Sequence, residues 1–509
     1  MSAATPAPER TRPRWETPAF IALLVLLLTI AAALVLRGIE DGRVRWMALA
    51  GVALGFAFLT KQLQALVIVP GLAVVYLCAA DAPLKRRLRN ALVTLGAFVV
   101  SAGWWVALVE LVPADWRPYI GGSQNNSFLE LTFGYNGLGR ITGEETGAVG
   151  AGQWGATGLT RLFDGEYGGQ AAWLLPAALI FAVVLIVRTW RRPRTDALRA
   201  QTLVWGSWLV VTGLVFSFMS GIFHAYYTVA LAPAIAALVG IGVGELWARR
   251  NAADLVVLGA TTAVTGAWGW MLLMRTSSLL AWPVLVIGVL AGLALALSPW
   301  LADHRRQIAV CAALSGLAAG LAGPVSYTAI TLQDAHTGSI VTAGPSLTGS
   351  SSRLSPGSGR LPSSMNSRSR GGESERSTDS QRGNGLLSGM TASDELVDLL
   401  RNSGDVRWAA AVTGSQNAAS LQLASNASVM PIGGFNASDS SPTLEQFEAY
   451  VAAGEIRYYV LGSIIGRSNG GSDAATAIAE WVEAHFTATT VAGTTVYDLS
   501  SGASDDAQQ

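Results

Sequence analysis

Residues 121–143, GGSQNNSFLELTFGYNGLGRITG, set three asparagines, a glutamine, a glutamate and an arginine among glycines. The amides of Gln124, Asn125 and Asn126 are donors and acceptors suited to sugar hydroxyls, and Arg140 can hold a phosphate through two parallel hydrogen bonds. Glycines around Tyr135, Asn136 and Arg140 let the backbone come close to a ligand. Glu130 is the carboxylate of the stretch and hence its candidate general base. A plain polar loop has a similar composition, because connections between elements are polar in any case.

Two more places carry chemistry. Lys61 stands inside a long apolar window, where a cation costs roughly 2.5 kcal/mol or more and persists with a partner or an anionic ligand. It either snorkels to an interface or faces a cleft and binds a lipid-linked phosphate. In FHAYYTVALAP (223–233), His224 and Tyr226 precede an apolar span. Interfacial tyrosines are ordinary anchors and a lone histidine is commonly structural, yet titratable groups beside a cleft are enriched in function. Asp115, Trp116, Arg117 and Tyr119 read as an interfacial belt. The sequence holds no phosphate-binding loop with its lysine, no paired-cysteine metal spacing, no nucleophile elbow and no HExxH. Cys78 and Cys311 lie in apolar runs and make no disulfide framework. A divalent metal ion is compatible with the residues present, but no ligand cluster demands one.

The elements that must position these residues are membrane spans. Of 509 residues, 51% are hydrophobic and 13% charged, against about a quarter charged in a soluble domain. A formal net charge of zero gives no basic field for nucleic acid. Windows long enough for a hydrocarbon core of ~30 Å fall near 18–36, 91–113, 171–188, 201–219, 227–247, 254–274, 279–300 and 307–328. The window 46–80, interrupted at Thr60-Lys61-Gln62, reads as two short helices meeting at a polar turn, for a total of about ten spans.

Arginine-rich loops stay cytoplasmic, which places LKRRLRN (84–90), RTWRRPRTDALR (188–199), WARRNAAD (247–254) and DHRR (303–306) inside. Residues 114–170, the link 220–228 and everything after about 329 are then predicted to face outward. One end does not obey: ERTRPRW (9–15) and RGIEDGRVRW (37–46) both ask to be inside, and a single helix at 18–36 cannot satisfy both.

Residues 1–17 form a basic arm and 18–340 the membrane domain. Residues 341–393 are mainly Ser, Gly and Arg with almost no large apolar residue, the composition of a disordered linker. Over 394–500, helix-like runs such as DELVDLLRNS and TLEQFEAYVAAGE alternate with strand-like RWAAAVTG, SVMPIGGF, IRYYVLGS and TTVYDLS. That alternation argues for a small α/β domain with a largely parallel sheet. A tail, 501–509, follows. The fold class predicted is therefore mostly α, a polytopic transmembrane helix bundle followed by a small extracytoplasmic α/β domain.

GFAFLTKQLQALVIVPGLAVVYL, the 121–143 stretch and HAYYTVALAPAIAALVGIG resemble the actinobacterial and Bacillus-type mannosyltransferases. These belong to the protein O-mannosyltransferase and aminoarabinose-transferase kind of membrane glycosyltransferase. AAVTGSQNAASLQLASNASVMPIGGFNASDSSPTLEQFEAYVAAGEIRYYVL resembles their extracytoplasmic C-terminal domain, and the resemblance covers nearly all of 18–340 and 394–500. It implies a GT-C scaffold in the cell membrane with its site at the outer face. The implied reaction moves a mannose-like hexose or a pentose from a polyprenyl-phosphate donor to an extracytoplasmic protein, lipid or wall-polymer acceptor. Lys61, Gln124, Asn126, Tyr135, Asn136, Arg140, His224 and Tyr226 would bind substrate.

The resemblance also implies, in a first outer loop, a carboxylate acting as base or acceptor clamp and a Lys-Pro-Pro segment holding the donor phosphate. Here RPRWETPAF runs almost directly into LLVLLLTIAAALVLRGIEDG, so no position matches that carboxylate. The conflict at the two ends of the first helix is what loss of an odd number of spans would produce, and the expectation is an internal deletion or an erroneous gene model. The alternative function is then a non-catalytic binder or a transporter of lipid-linked sugars. A transporter would show repeated broken helices, and one broken helix is legible.

Overall fold

The computed structural model describes residues 16–147, 155–276, 278–300, 305–333, 342–344, 389–462 and 470–501. The expected linker falls mostly on 345–388, outside the described residues. Helices run in the order α1 Glu16–Asp41, α2 Val44–Lys61, α3 Val69–Ala79, α4 Leu84–Leu111, α5 Phe128–Phe133, α6 Gly139–Thr142, α7 Gly165–Ala171, α8 Leu175–Thr189 and α9 Ala197–Phe218. Then come α10 Ala232–Arg249, α11 Ala252–Leu273, α12 Ser278–Leu297 and α13 Arg305–Gln333. Among the described residues, 8 helices are long and apolar enough to cross a membrane, with α3 and α8 as shorter apolar helices. The ten expected spans thus appear as eight long helices and two short ones.

By contacts the chain forms two compact units. The first comprises residues 1–108, 178–213 and 229–242. In it, Asp41 ends α1 and accepts from Arg43 N (2.9 Å) and Trp46 Nε1 (2.7 Å), while Gly42 takes φ +65° to turn the chain into α2. The break anticipated at Thr60-Lys61-Gln62 is present: α2 stops at Lys61, Gln62 takes φ 39°, and a 3-10 turn over Gln62–Leu66 leads to α3. Pro70 sits in the first turn of α3, where a missing N–H costs nothing. Buried Asn90 donates to Tyr76 Oη (2.9 Å) and Gly42 O (3.3 Å), and the fully buried indole of Trp208 donates to Ala230 O (2.9 Å). Burying a polar group is costly unless it is hydrogen-bonded, and Asn90 and Trp208 both have partners.

The second unit comprises 109–177, 214–228 and 243–509. Its helices α11, α12 and α13 pack on one another, and the first two meet through glycines: a Cβ on Gly266 would lie 2.8 Å from Gly288 Cα. Small residues let helices approach where lipid offers no hydrophobic drive for association.

The same unit holds the α/β domain, with helices α14 Asp394–Arg401, α15 Ser415–Ser425, α16 Leu444–Ala452 and α17 Ala474–His485. Its strands are β1 Trp408–Thr413, β2 Val429–Ile432, β3 Ile456–Val460, β4 Ala488–Val491 and β5 Thr494–Asp498, in the order β2-β1-β3-β5-β4. β1 is parallel to β2 (Ala410 beside Val429) and to β3 (Ala410 beside Tyr458). β5 is antiparallel to β3 and to β4. The expected largely parallel sheet is therefore parallel over three strands, with an antiparallel hairpin added at one edge. The reason is local: Ala492 and Gly493 both take positive φ (46° and 84°), the geometry of a two-residue hairpin turn. Side chains from β1, β2 and β3 alternate between two cores. Leu396, Leu400 and Leu421 close one face, and Phe447, Ile478 and Val482 close the other.

Gly266→Val should overpack the α11–α12 contact at a cost of roughly 1–3 kcal/mol, lowering the thermal midpoint of the detergent-solubilised protein. Gly206→Val, with no atom within 4 Å of its added Cβ, should leave the midpoint where it is.

Candidate functional site

The polar loop after α4 is built by charged side chains turned onto its own backbone. Glu110 accepts from Ser127 Oγ (2.9 Å) and Leu129 N (2.8 Å), and the Arg117 guanidinium, 3.7 Å from Glu110, donates to the carbonyls of Val109, Val112 and Asn126. Asn126, at φ 51°, accepts from Ile120 N (2.8 Å) and donates to Ala114 O (3.0 Å). The two oxygens of Glu130 accept from Gln124 N (2.8 Å) and Asn125 N (2.9 Å). A loop returning from a membrane must satisfy its backbone polar groups, and these residues do so.

Beyond Ser127, which caps α5 by accepting from Glu130 N (3.2 Å), a π-type turn over Gly134–Leu138 leads into α6. Tyr135, Asn136 and Arg140 come together there: Arg140 lies 4.6 Å over the Tyr135 ring and donates through Nη2 to Asn136 Oδ1 (3.2 Å). Its Nη1 is buried and has no hydrogen-bond partner among the described residues.

Two buried charges that sequence reasoning passed over hold the link 216–224 against this turn. Glu145 accepts from Ile222 N (2.5 Å) and packs where a Cβ on Gly221 would collide with it. Arg161, 1% exposed, donates to Phe216 O (3.2 Å) and Met219 O (2.6 Å) and lies 4.6 Å over the Phe223 ring. Gly221 N in turn donates to Arg140 O (3.0 Å). The clamped link presents His224 and Tyr226, whose rings stack at 5.4 Å and 19°.

The third component comes from the loop that leaves β2, Gly433 to Ser440. Asp439 accepts from Gly122 N with both oxygens (3.1 Å each). Asn436 Nδ2 donates to Tyr135 Oη (2.9 Å), Ser438 Oγ to Gly147 O (2.8 Å) and Ser440 Oγ to Gln124 O (3.2 Å). The Tyr119 hydroxyl lies 3.3 Å from Ser440 Oγ.

Together the three components line a cavity of about 460 Å3, within the usual size of a small-molecule site. Five of the nine residues singled out from sequence line it: Tyr135, Asn136, Arg140, His224 and Tyr226. Glu130 and Asn126 do not line it; their polar atoms hold the loop. Gln124 meets the α/β domain through its carbonyl and also stays outside the lining. Lys61 belongs to the first unit, half-buried at the helix break. Missed were Asn436, Ser438 and Asp439 of the cavity wall and the support Glu145, because NASDS and GEETG look like any solvated turn; the support Arg161 was missed as well. The one signal was a glycine pair directly after a strand, where parallel α/β domains place ligands. Among the described residues, no group of three or more His, Cys, Asp or Glu could hold a metal ion.

Burial pushes the Asp439 carboxyl above its ordinary 3.8, with the Gly122 N–H opposing the shift. Burial likewise raises the Tyr119 phenol, against its hydrogen bonds with Ser440.

Two family models match the chain: "Dolichyl-phosphate-mannose-protein mannosyltransferase" over residues 20–105 and "Putative mannosyltransferase YkcB-like, C-terminal" over residues 396–485. Over these two segments the chain is similar to mannosyltransferases, in line with the sequence resemblance. In particular it is similar to "Putative mannosyltransferase YkcB" of Bacillus subtilis (strain 168), 28% identical over 559 residues that cover 91% of this chain and 72% of the relative. It is also similar to "Putative mannosyltransferase YycA" of the same organism, 26% identical over 524 residues, 86% of this chain and 72% of the relative. Among solved structures, ArnT from Cupriavidus metallidurans bound to undecaprenyl phosphate is similar at a TM-score of 0.42 and 16% identity, covering 94% of this chain and 74% of that one.

A carboxyl whose folded-state pKa is raised contributes stability below its unfolded value and loses that contribution as pH rises through the folded value. The wild-type thermal midpoint should therefore carry a component that falls as pH climbs above 3.8. Asp439→Asn, which keeps an acceptor for Gly122 N–H, should remove that component and raise the midpoint at neutral pH; differential scanning fluorimetry from pH 4 to 8 checks this.

Proposed function

We propose that the protein moves a sugar, a mannose-like hexose or a pentose, from a polyprenyl-phosphate donor to an extracytoplasmic protein, lipid or wall-polymer acceptor. In this reading the cavity holds the donor headgroup, and the α/β domain stands outside the cytoplasm with the polar loop. The observation that carries it is Arg140. Its Nη2 is fixed by Asn136 and its face by Tyr135, while its buried Nη1 lacks a partner among the described residues, in a cavity that amides, a histidine and tyrosines line. A guanidinium oriented on one edge and unengaged on another is prepared for a phosphate oxygen. His224 and Tyr226 supply a ring face and polar atoms for the sugar.

A second reading, a binder of lipid-linked sugar without turnover, draws support from Glu130. Both its oxygens serve backbone N–H groups, so the loop carboxylate is occupied. Reconstituted protein given labelled short-chain prenyl-phosphate mannose and cell-envelope extract separates the two readings. Release of prenyl phosphate with label entering the envelope fraction supports the transferase; retained donor without release supports the binder. Arg140→Ala should weaken donor binding about tenfold or more, as expected for one charged hydrogen bond.

The outward placement has its own test. In a Cys78→Ser/Cys311→Ser background, Asn125→Cys and Leu423→Cys, both exposed positions, should react with a membrane-impermeant maleimide in intact cells. Labelling confined to inverted vesicles would overturn the placement.

A further inference from the structure

If the cavity is a transfer site, it needs a group to take the acceptor's proton, and Glu130 is bound to its own loop. Asp439 of the α/β domain is the carboxylate among the described residues that line the cavity. It is 6% exposed, and its oxygens accept one N–H, that of Gly122, leaving lone pairs unused. Nor is the position incidental to the domain. The segment follows the carboxyl end of β2, beside the ends of parallel β1, where Ser415 N donates to Gly434 O (2.9 Å) and Gly414 N to Ile432 O (2.9 Å). Open α/β sheets bind ligands outside the carboxyl ends of their parallel strands. Here that edge closes the same cavity that contains Arg140 and His224.

The segment is also held in register from both sides. Ser438 O accepts from Ser472 N (2.8 Å), Asp439 N donates to Gly433 O (3.1 Å), and a Cβ on Gly434 would collide with the Asp439 carboxylate. A docking contact alone would be served as well by an uncharged amide, and a buried carboxylate without a cation pairing is a stability cost. Such costs gather at functional sites.

We propose that Asp439, supplied by the α/β domain, is the catalytic base of this chain. This rests on the transferase reading above. The acceptor hydroxyl oxygen attacks the anomeric carbon of the donor sugar and forms the new glycosidic bond, and its proton passes to a carboxylate oxygen of Asp439. The bond between the anomeric carbon and the phosphate oxygen breaks, its electron pair stays on that oxygen, and polyprenyl phosphate leaves against Arg140. The α/β domain is thereby one wall of the reaction site, and the acceptor approaches from the sheet's carboxyl edge.

The experiment compares the reconstituted full chain with Asp439→Asn and Ser440→Ala in the prenyl-phosphate mannose assay, alongside hydrogen exchange of residues 119–124. Asp439→Asn retains an oxygen for Gly122 N–H, so protection of that segment should persist while prenyl phosphate release falls on the order of a hundredfold or more, the usual contribution of a general base. Ser440→Ala removes docking bonds without removing a cavity group and should fall far less. Release by Asp439→Asn at the wild-type rate overturns the assignment. So does an equal loss in both variants, or loss of protection in Asp439→Asn, each of which makes the residue a docking contact. Absence of release by the wild-type chain overturns the transferase reading itself, and the assignment with it.

Discussion

A connection that leaves one membrane helix and returns to the next must satisfy a run of backbone N–H and C=O groups at a place where water is scarce. In this protein that demand is met by acidic and basic side chains directed at the backbone: Glu110, Arg117 and Glu130 within the loop, Glu145 and Arg161 on the link 216–224. Charge-assisted hydrogen bonds of this kind are stronger than neutral ones, and they hold glycine-rich segments in single conformations without a large core. The site exists because those segments are held.

The same constraint explains which polar residues are left for a ligand. Residues that close loops spend their capacity locally, as Asn126 and Glu130 do. Arg140 spends one nitrogen on Asn136 and keeps another uncommitted. Asp439 spends part of its acceptor capacity on one N–H. The proposed chemistry falls to groups whose hydrogen-bonding capacity the loop does not exhaust.

The α/β domain joins this arrangement through a short loop rather than through its cores. Both faces of the sheet are closed by its own helices, while Asn436, Ser438, Asp439 and Ser440 carry the polar contacts to the loop of residues 119–147. The YkcB-like family model, residues 396–485, contains this segment, so the α/β domain brings its contact surface with it.

Much of the architecture was legible from the amino-acid order. Apolar windows gave the membrane helices because about twenty apolar residues per crossing is a length requirement that composition reports directly. The break at Thr60-Lys61-Gln62 was visible as a polar interruption, and the alternation after residue 394 announced an α/β domain through its change of period. Tyr135, Asn136, Arg140, His224 and Tyr226 were legible as candidates from their polar or aromatic types beside apolar spans, but composition alone did not separate them from Asn126 and Glu130, which close the loop. Tertiary structure alone decided that Glu130 and Asn126 are consumed by the loop, that Glu145 and Arg161 are buried supports, and that Asp439, some three hundred residues downstream of Gly122, reaches the cavity. Local pattern reports the burial and period of one segment. Which distant segment satisfies a given donor is set by how the elements pack, and no local pattern encodes that.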